Sequence, residues 1–381
     1  MKPKLIRITT VPLSLSGLLE GQLQFMSKYF QVLAVSSPGS NDDLEAIQQK
    51  EGVPTYPIHM TRKITPIQDL IALKQLYTLF KKEKPFIVHS HTPKAGTLGM
   101  LAAKLAGVPH RLHTIAGLPL VEATGLKRIL LNTVEKITYA CATKIYPNAH
   151  GLTEIILKHK FTSKDKLKVI ANGSSNGINT AHFSPEKVSD EEKQRLKDVF
   201  RFSGSDTIFV FVGRLVADKG INELIVAFDK ISKENINAKL LLVGDFETEL
   251  DPLKEETLNI MKNNPNILNT GWVTDVRPYF SIADILIFPS YREGFPNVVM
   301  QAGAMGLPSI VTDINGCNEI IVEGENGTII PTKDSEAIYH KMAQLLKGEL
   351  KFESALCRDM ITSRYERQVV WDALLQEYQQ L

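Results

Sequence analysis

Residues 285–312 constrain the fold most. Ile285-Leu286-Ile287-Phe288 is an uninterrupted apolar run that meets Pro289-Ser290-Tyr291-Arg292-Glu293-Gly294-Phe295-Pro296, a stretch too rich in turn residues to extend a strand. A helix-compatible segment from Asn297 to Met305 follows, then Gly306-Leu307-Pro308 and a second apolar run, Ser309-Ile310-Val311-Thr312. Strands apolar on both faces and joined through a helix form a parallel pair covered on both sides. A carboxylate, a glycine and a proline then lie where a strand ends and its crossover helix begins. That is the place where open α/β sheets bind ligands.

The same alternation runs through the chain. Strands are expected at 5–9, 32–35, 53–59, 86–89, 111–114, 144–147 and 169–170, with helices at 69–82, 95–106 and 126–144. Ser16-Gly17-Leu18-Leu19-Glu20-Gly21 reads as a glycine-bearing loop after the first strand. Around Pro185 to Arg195 the chain becomes charged and proline-containing, the composition of a linker. The pattern then restarts at Ile208 to Val212 and runs through 239–243, 267–270, 285–288, 309–312 and 328–330. The expected fold class is α/β, with two Rossmann-like doubly wound domains facing each other across a deep cleft. Domain one covers 1–188 and domain two 189–360, and a C-terminal helix at 361–381 is expected to pack back on the first domain. A cleft between strand C-termini is a favoured ligand site.

With 381 residues, two or three domains are expected. A net charge of +2 gives no sign of a dedicated nucleic-acid binder. Cys141, Cys317 and Cys357 are odd in number and far apart, which fits a reducing compartment and argues against a disulfide framework or a cysteine zinc site. No apolar run reaches the roughly 18 residues of a spanning helix, and Val11 to Leu19 is too broken for a signal peptide. A cytoplasmic location is expected.

Four groups of residues can carry chemistry. Gly213-Arg214 with Lys219-Gly220 combines a close backbone approach, a planar fork, a point charge and a following helix N-terminus, all suited to phosphate oxygens. The alternative is a solvated turn with two surface cations, and no P-loop pattern occurs. Glu293 and Gln301, eight positions apart, can hold hydroxyls of a sugar or ribose. Otherwise they are a loop carboxylate neutralised by Arg292 and a glutamine on a polar helix face. His113 ends an apolar strand and should face the cleft, unless it is a satisfied core histidine. A zinc site from His89, His91 and His113 lacks ligand spacing. Finally, Leu126, Leu130, Val134, Ile137 and Cys141 make an apolar stripe beside Lys127 and Arg128. Most of that stripe is expected to pack on the sheet, leaving the Leu118–Val121 loop as the part able to touch lipid. A single motif carboxylate disfavours a two-carboxylate glycosidase.

Taken together the chain resembles the retaining nucleotide-sugar glycosyltransferases of family 4, which have the GT-B fold. Arg292-Glu293-Gly294-Phe295-Pro296-Asn297-Val298-Val299, with Ala302, Met305, Gly306 and Pro308, resembles the family's pair of acids eight apart. Val212-Gly213-Arg214-Leu215 with Lys219-Gly220 resembles its diphosphate-binding segment. Val243-Gly244-Asp245, Gly271-Trp272-Val273, Ala283-Asp284 and Asn315-Gly316-Cys317-Asn318-Glu319-Ile320 fit as well. His89-Ser90-His91-Thr92-Pro93-Lys94-Ala95-Gly96 and Asn172-Gly173-Ser174-Ser175-Asn176-Gly177-Ile178-Asn179 are similar to members that extend polyprenyl-diphosphate-linked oligosaccharides in capsule, O-antigen or glycoprotein glycan assembly. Two departures stand out. Gln301 occupies the position of the second acid, and the glycine-rich first loop has one glycine where two adjacent ones are common.

The resemblance implies a metal-independent hexosyltransferase that needs no cofactor. Its substrate would be a nucleotide-diphospho-sugar, with a UDP-sugar favoured, and its acceptor a polyprenyl-diphosphate-linked saccharide. The partner surface would be the inner leaflet of the cytoplasmic membrane, with peripheral attachment and no nucleic acid. Arg214 and Lys219 would neutralise the leaving diphosphate, Glu293 hold the transferred sugar, Gln301 the ribose, and His113 contact the donor sugar or the developing charge. Gly17, His91, Lys94, Asn172, Gly213, Gly294, Phe295, Pro296, Asn297, Gly316 and Asn318 complete the implied substrate-binding set. The competing expectations are a phosphorylase or epimerase on the same architecture, and a non-catalytic nucleotide-sugar binder.

Overall fold

The computed structural model describes residues 2–40, 42–118, 124–247 and 251–381. Two compact units emerge, Met1–Gly177 with Gln368–Leu381, and Ile178–Arg367. The first contains β1 (Lys4–Ile8), α1 (Pro12–Leu18), α2 (Gln22–Ser27), β2 (Gln31–Ser36), α3 (Asp43–Glu51), β3 (Thr55–Pro57), α4 (Pro66–Glu83), β4 (Ile87–Ser90), α5 (Pro93–Ala106), β5 (His110–Ile115), α6 (Gly125–Cys141), β6 (Lys144–Pro147) and α7 (His150–Lys158). The second contains α8 (Asp190–Phe200), β7 (Thr207–Val212), α9 (Ile221–Glu234), β8 (Ala238–Val243), α10 (Glu255–Asn263), β9 (Ile267–Asn269), α11 (Arg277–Ile282), β10 (Ile285–Phe288), α12 (Asn297–Ala304), β11 (Ser309–Thr312), α13 (Cys317–Ile320), β12 (Gly327–Ile330), α14 (Ser335–Leu346) and α15 (Ser354–Tyr365). A last helix, α16 (Arg367–Gln379), belongs almost wholly to the first unit.

Each unit is built on one six-stranded parallel sheet, ordered β3-β2-β1-β4-β5-β6 and β12-β11-β10-β7-β8-β9. The two orders are the same doubly wound topology, and both faces of the central strands are buried, as the continuous apolar runs of β7, β8, β10 and β11 require. The order reverses between β1 and β4 in the first sheet and between β7 and β10 in the second. These are the switch points at which crossover helices diverge and leave a crevice.

The unit boundaries differ from those expected at 188 and 360. The charged stretch taken for a linker is α8. Ser189 accepts from the backbone N–H of Glu192 at 3.2 Å, and three acids occupy the first turn, where the helix dipole favours them. The chain passes between units at 177/178 and 367/368. There Ile178 donates to the Tyr365 carbonyl at 2.8 Å and Arg367 to that of Ile178 at 2.9 Å. Trp371, Leu374 and Tyr378 of α16 join the core of the first unit with Leu5, Phe25 and Val32, and the Trp371 indole donates to Asn176 at 2.7 Å.

Three further expectations are corrected. Gly17 lies inside α1 rather than in a loop, since Pro12 starts a helix at its first turn. Residues 169–170 form no strand; pairing with β6 is limited to the Leu167–Ile145 bridge, where the Lys168 backbone donates to the Ile145 carbonyl. Most of the α6 stripe is not buried: Leu126, Leu130 and Ile137 are exposed and Val134 is half-buried, while Cys141 is buried. Of the Leu118–Val121 loop expected to touch lipid, Leu118 is buried, and residues 119–121 lie outside the described residues. All three cysteines are free and buried.

Candidate functional site

The site of the second unit is assembled by three loops at the C-terminal ends of β7, β10 and β11. The loop after β7 makes a short 3-10 turn at Ala217–Lys219 before α9 begins. Gly220 joins the two with φ of 72°, and a Cβ there would overlap the Pro289 carbonyl oxygen and lie 2.9 Å from its carbon. The backbone of the α9 entrance is thus pressed against the end of β10, and Tyr291 donates to the Asp218 carbonyl at 2.8 Å. From the other side, Asn315 donates its amide to the carbonyls of Glu293 and Gly294. A Cβ at Gly316 would lie 2.9 Å from the Phe295 Cα.

These contacts fix Glu293. Its Oε1 accepts from the Ser290 hydroxyl at 2.9 Å and pairs with the Lys219 ammonium. The Lys219 and Glu293 side chains are 17% and 16% exposed, so their charges sit largely out of water. Lys219 also lies 5.6 Å from the centre of the Phe288 ring. Earlier in the loop that carries Lys219, Arg214 pairs with Glu247 and is 57% exposed. Arg292 binds Asp218 at 2.9 Å rather than Glu293. Gly213 donates to the Val243 carbonyl at 2.9 Å, which holds the β7 end against β8.

The α12 residues divide. Asn297 opens the helix and is exposed, and Gln301 is half-buried one turn further on, its side-chain amide without a hydrogen bond among the described residues. Gly294, Phe295 and Pro296 are buried, and Phe295 meets Tyr365 edge-on at 5.3 Å. Phe295 therefore supports the loop from inside instead of presenting its ring to a ligand. Asn318 is exposed and donates to Asp313 at 2.8 Å.

Sequence reasoning missed Ser290, Asn315 and Glu247. The Ser290–Glu293 spacing was visible, but only folding brings Asn315 and Glu247 to their partners. It also missed two aromatic side chains left exposed near the ends of β8 and β9. Phe246 and Trp272 are 42% and 70% exposed, and their strand ends are tied by the Gly244–Gly271 bridge.

In the first unit the expected residues are more deeply placed. His113 is buried, not open. Its Nδ1 meets the Ser90 hydroxyl at 2.9 Å, and a Cβ at Gly96 would lie 2.9 Å from the same nitrogen, so α5 rests directly on the ring. Burial pushes His113 down to about 4, against the opposing hydrogen bond to the Ser90 carbonyl. His91 accepts from Arg7 at 3.0 Å, and His89 lies between Tyr378 and Thr114. Burial, then neighbouring cationic charge, holds both well below the usual imidazole range. The ring nitrogens of His89 are thus both engaged within the protein, as is one of His91 and one of His113. Lys94, expected to bind substrate, is tied to Asp69 at 2.6 Å and to the Lys63 carbonyl, where it clamps α5 to α4. Asn172 stands exposed in a turn between Ala171, φ 50°, and Gly173, φ 101°.

Histidines held neutral in the fold but free to protonate once unfolded give stability that is complete above the unfolded pKa near 6.5 and lost as pH falls toward about 4. His113 alone accounts for on the order of 3 kcal/mol over that window. Urea midpoints should therefore fall between neutral and mildly acidic pH, and His113→Gln should flatten that dependence. An unchanged slope in the variant would remove His113 from the account.

Comparison with known proteins places these features. Residues 192–367 match the family model for glycosyl transferases group 1, and residues 19–149 that for glycosyl transferase 4-like. A capsular polysaccharide biosynthesis glycosyltransferase of Staphylococcus aureus is 34% identical over 98% of this chain and 96% of its own. The UDP-Gal:alpha-D-GlcNAc-diphosphoundecaprenol alpha-1,3-galactosyltransferase of Escherichia coli is 29% identical over 96% of this chain and 95% of its own. Among solved structures, Anabaena HepE in complex with UDP aligns with a TM-score of 0.81 at 14% identity, covering 99% of this chain and all of that one.

Proposed function

The chain is a glycosyltransferase of the group 1 family with a 4-like first half and the GT-B fold, and from that premise we propose that it moves a hexose from a UDP-sugar to a lipid-linked saccharide with retention at the anomeric carbon. The product belongs to a cell-surface polysaccharide or glycan. The observation that carries this reading is the Lys219–Glu293 pair at the β7/β10 switch point. It offers one cation for a diphosphate oxygen and one carboxylate for sugar hydroxyls at a single place. Arg214 supplies a second, more exposed cation. Leaving-group stabilisation by these fixed charges is the main catalytic contribution, and it stands in place of a divalent metal.

The remaining residues take supporting parts. Asn297 and Gln301 line the first turn of α12, where Gln301 offers a neutral amide to ribose hydroxyls. Exposed Trp272 and Phe246 offer apolar faces to a planar base. His113, buried and uncharged, acts as a hydrogen-bonding group in the acceptor half and not as a cation. The names of the Escherichia coli relative and of a Campylobacter jejuni diphospho-undecaprenol alpha-1,3-N-acetylgalactosaminyltransferase, 26% identical over 82% of each chain, support a polyprenyl-diphosphate acceptor. They also support α-linked products, and an α-linked product from an α-linked donor is retention. Among the described residues no helix is long and apolar enough to cross a membrane. The acceptor is met at the inner leaflet by a peripheral protein.

The test is a thermal-shift screen over UDP- and GDP-sugars, followed by transfer to a short-chain prenyl-diphosphate saccharide with and without EDTA. A UDP-sugar at about a hundred times its Kd should stabilise by about 2.7 kcal/mol. Transfer should follow and survive EDTA. No shift with any donor sinks the reading, and binding without transfer turns the protein into a nucleotide-sugar binder.

A further inference from the structure

One loop of the second unit holds both cations of the site, Arg214 and Lys219. It joins β8 to α10. The pairing of β7 with β8 continues past the strand ends into this loop. Gly213 donates to the Val243 carbonyl at 2.9 Å, Leu215 to that of Asp245 at 2.8 Å, and Ala217 to that of Asp251 at 3.3 Å. Alternate residues of the 213–217 segment are thus stitched to the loop, and the partner skips from 245 to 251. The far end of the loop is anchored as well. Asn222, buried in the first turn of α9, accepts from the Lys254 backbone at 3.0 Å and from the Thr257 hydroxyl at 2.7 Å.

Two carboxylates of the loop fall where the cations need support. A bridge between Phe246 and Leu215 brings Glu247 beside Arg214, and the Glu247 carboxylate takes the guanidinium by its Nη1. The Nε and Nη2 of Arg214 make no hydrogen bond among the described residues, so one edge of the fork keeps its donors. The Asp251 carboxylate accepts from the Asp218 backbone N–H at 2.6 Å. Asp218 precedes Lys219 in the 3-10 turn, so this charge-assisted bond fixes the turn that aims the lysine. An exposed ion pair adds little to stability, and a carboxylate beside a diphosphate site repels the ligand. Neither attraction nor stability therefore accounts for both acids. Orientation does: a long cationic side chain already held in place loses less freedom when it grips a ligand.

We propose that Glu247 and Asp251 are positioning residues: Glu247 orients Arg214, Asp251 orients Lys219, and neither carboxylate touches the substrate. The inference rests on the donor-site reading and adds the residues that hold its cations. Double-mutant cycles test it, with kcat and KM for the UDP-sugar and calorimetric affinity for UDP. Glu247→Ala should lower kcat/KM by about fivefold, and should cost nothing further in an Arg214→Ala background. Asp251→Ala should lower kcat by about tenfold with a smaller change in KM, and should cost nothing further in a Lys219→Ala background. Glu247→Gln and Asp251→Asn keep an acceptor oxygen, so each should recover most of the loss at the wild-type melting temperature. Losses that persist when the cation is absent would make the carboxylates substrate contacts or supports of the fold, and overturn the proposal. Tighter UDP binding by Glu247→Ala would overturn it too, as the sign of a carboxylate that obstructs. A ligand-free measurement separates this outcome from the transferase reading. Hydrogen exchange at the Asp218 amide should quicken about tenfold or more in Asp251→Ala and stay slow in Asp251→Asn. If wild type neither binds UDP nor transfers while exchange responds in this way, the transferase reading fails and the hold on the Lys219 turn stands. Unchanged exchange in Asp251→Ala overturns that hold whatever the activity.

Discussion

Replacing Lys219 by alanine lowers sugar transfer by about two to three orders of magnitude, mostly in kcat. The reason lies in where the ammonium sits. At 17% exposure, between the Glu293 carboxylate and the Phe288 ring, its field is poorly screened by water. Charge that develops on a departing diphosphate gains most from a cation already held in place. The substitution also leaves Glu293 a largely buried carboxylate with only Ser290 to bind it. Arg214→Ala is expected to cost less, about tenfold, because that guanidinium is 57% exposed and partly screened. Steady-state kinetics for both variants, with circular dichroism to confirm folding, decide the matter. Equal losses would place the diphosphate symmetrically between the two cations, and wild-type turnover in Lys219→Ala would remove it from this site.

Gly220→Ala is expected to be strongly damaging to the second unit. Its φ of 72° is unfavourable for a side chain, and the added methyl meets a backbone carbonyl at Pro289 that no rotamer change can move aside. A cost of about 2–4 kcal/mol follows, or a fall in melting temperature on the order of 10 °C. Activity should suffer beyond stability, because the same collision pushes Lys219 away from Glu293. Gly204→Ala, where nothing lies within 4 Å of the new Cβ, is the control and should melt as the wild type does. Calorimetry on the pair tests both statements, and matching transitions would mean that the loops are looser than their packing implies.

Much of this architecture can be read from sequence because parallel strands buried on both faces leave nearly continuous apolar runs. Residues 285–288, 208–212 and 239–243 were legible for that reason, and with them the strand ends that carry Lys219 and Glu293. The failures share a cause as well. Gly17 suggested a loop, but Pro12 had already started a helix. The charges of α8 suggested a linker, though they are a capped, acid-first helix. Periodicity marked the apolar stripe of α6 correctly but says nothing of what lies beneath it. Likewise, His113 could be placed at a strand end from sequence, while its enclosure by Gly96 and Ser90 depends on neighbours far along the chain.

The first unit is interrupted: residues 178–367 intervene between its main body and α16. A chain made from its N-terminus therefore emerges with its opening half unable to close, since Trp371, Leu374 and Tyr378 are still to come. The second unit is complete before them and can fold first, the reverse of the usual N-to-C order of domain maturation during synthesis. Until then the opening half keeps the core around Phe25 and Val32 without the wall that α16 supplies. Residues 368–381 thus complete a core that residues 1–177 begin.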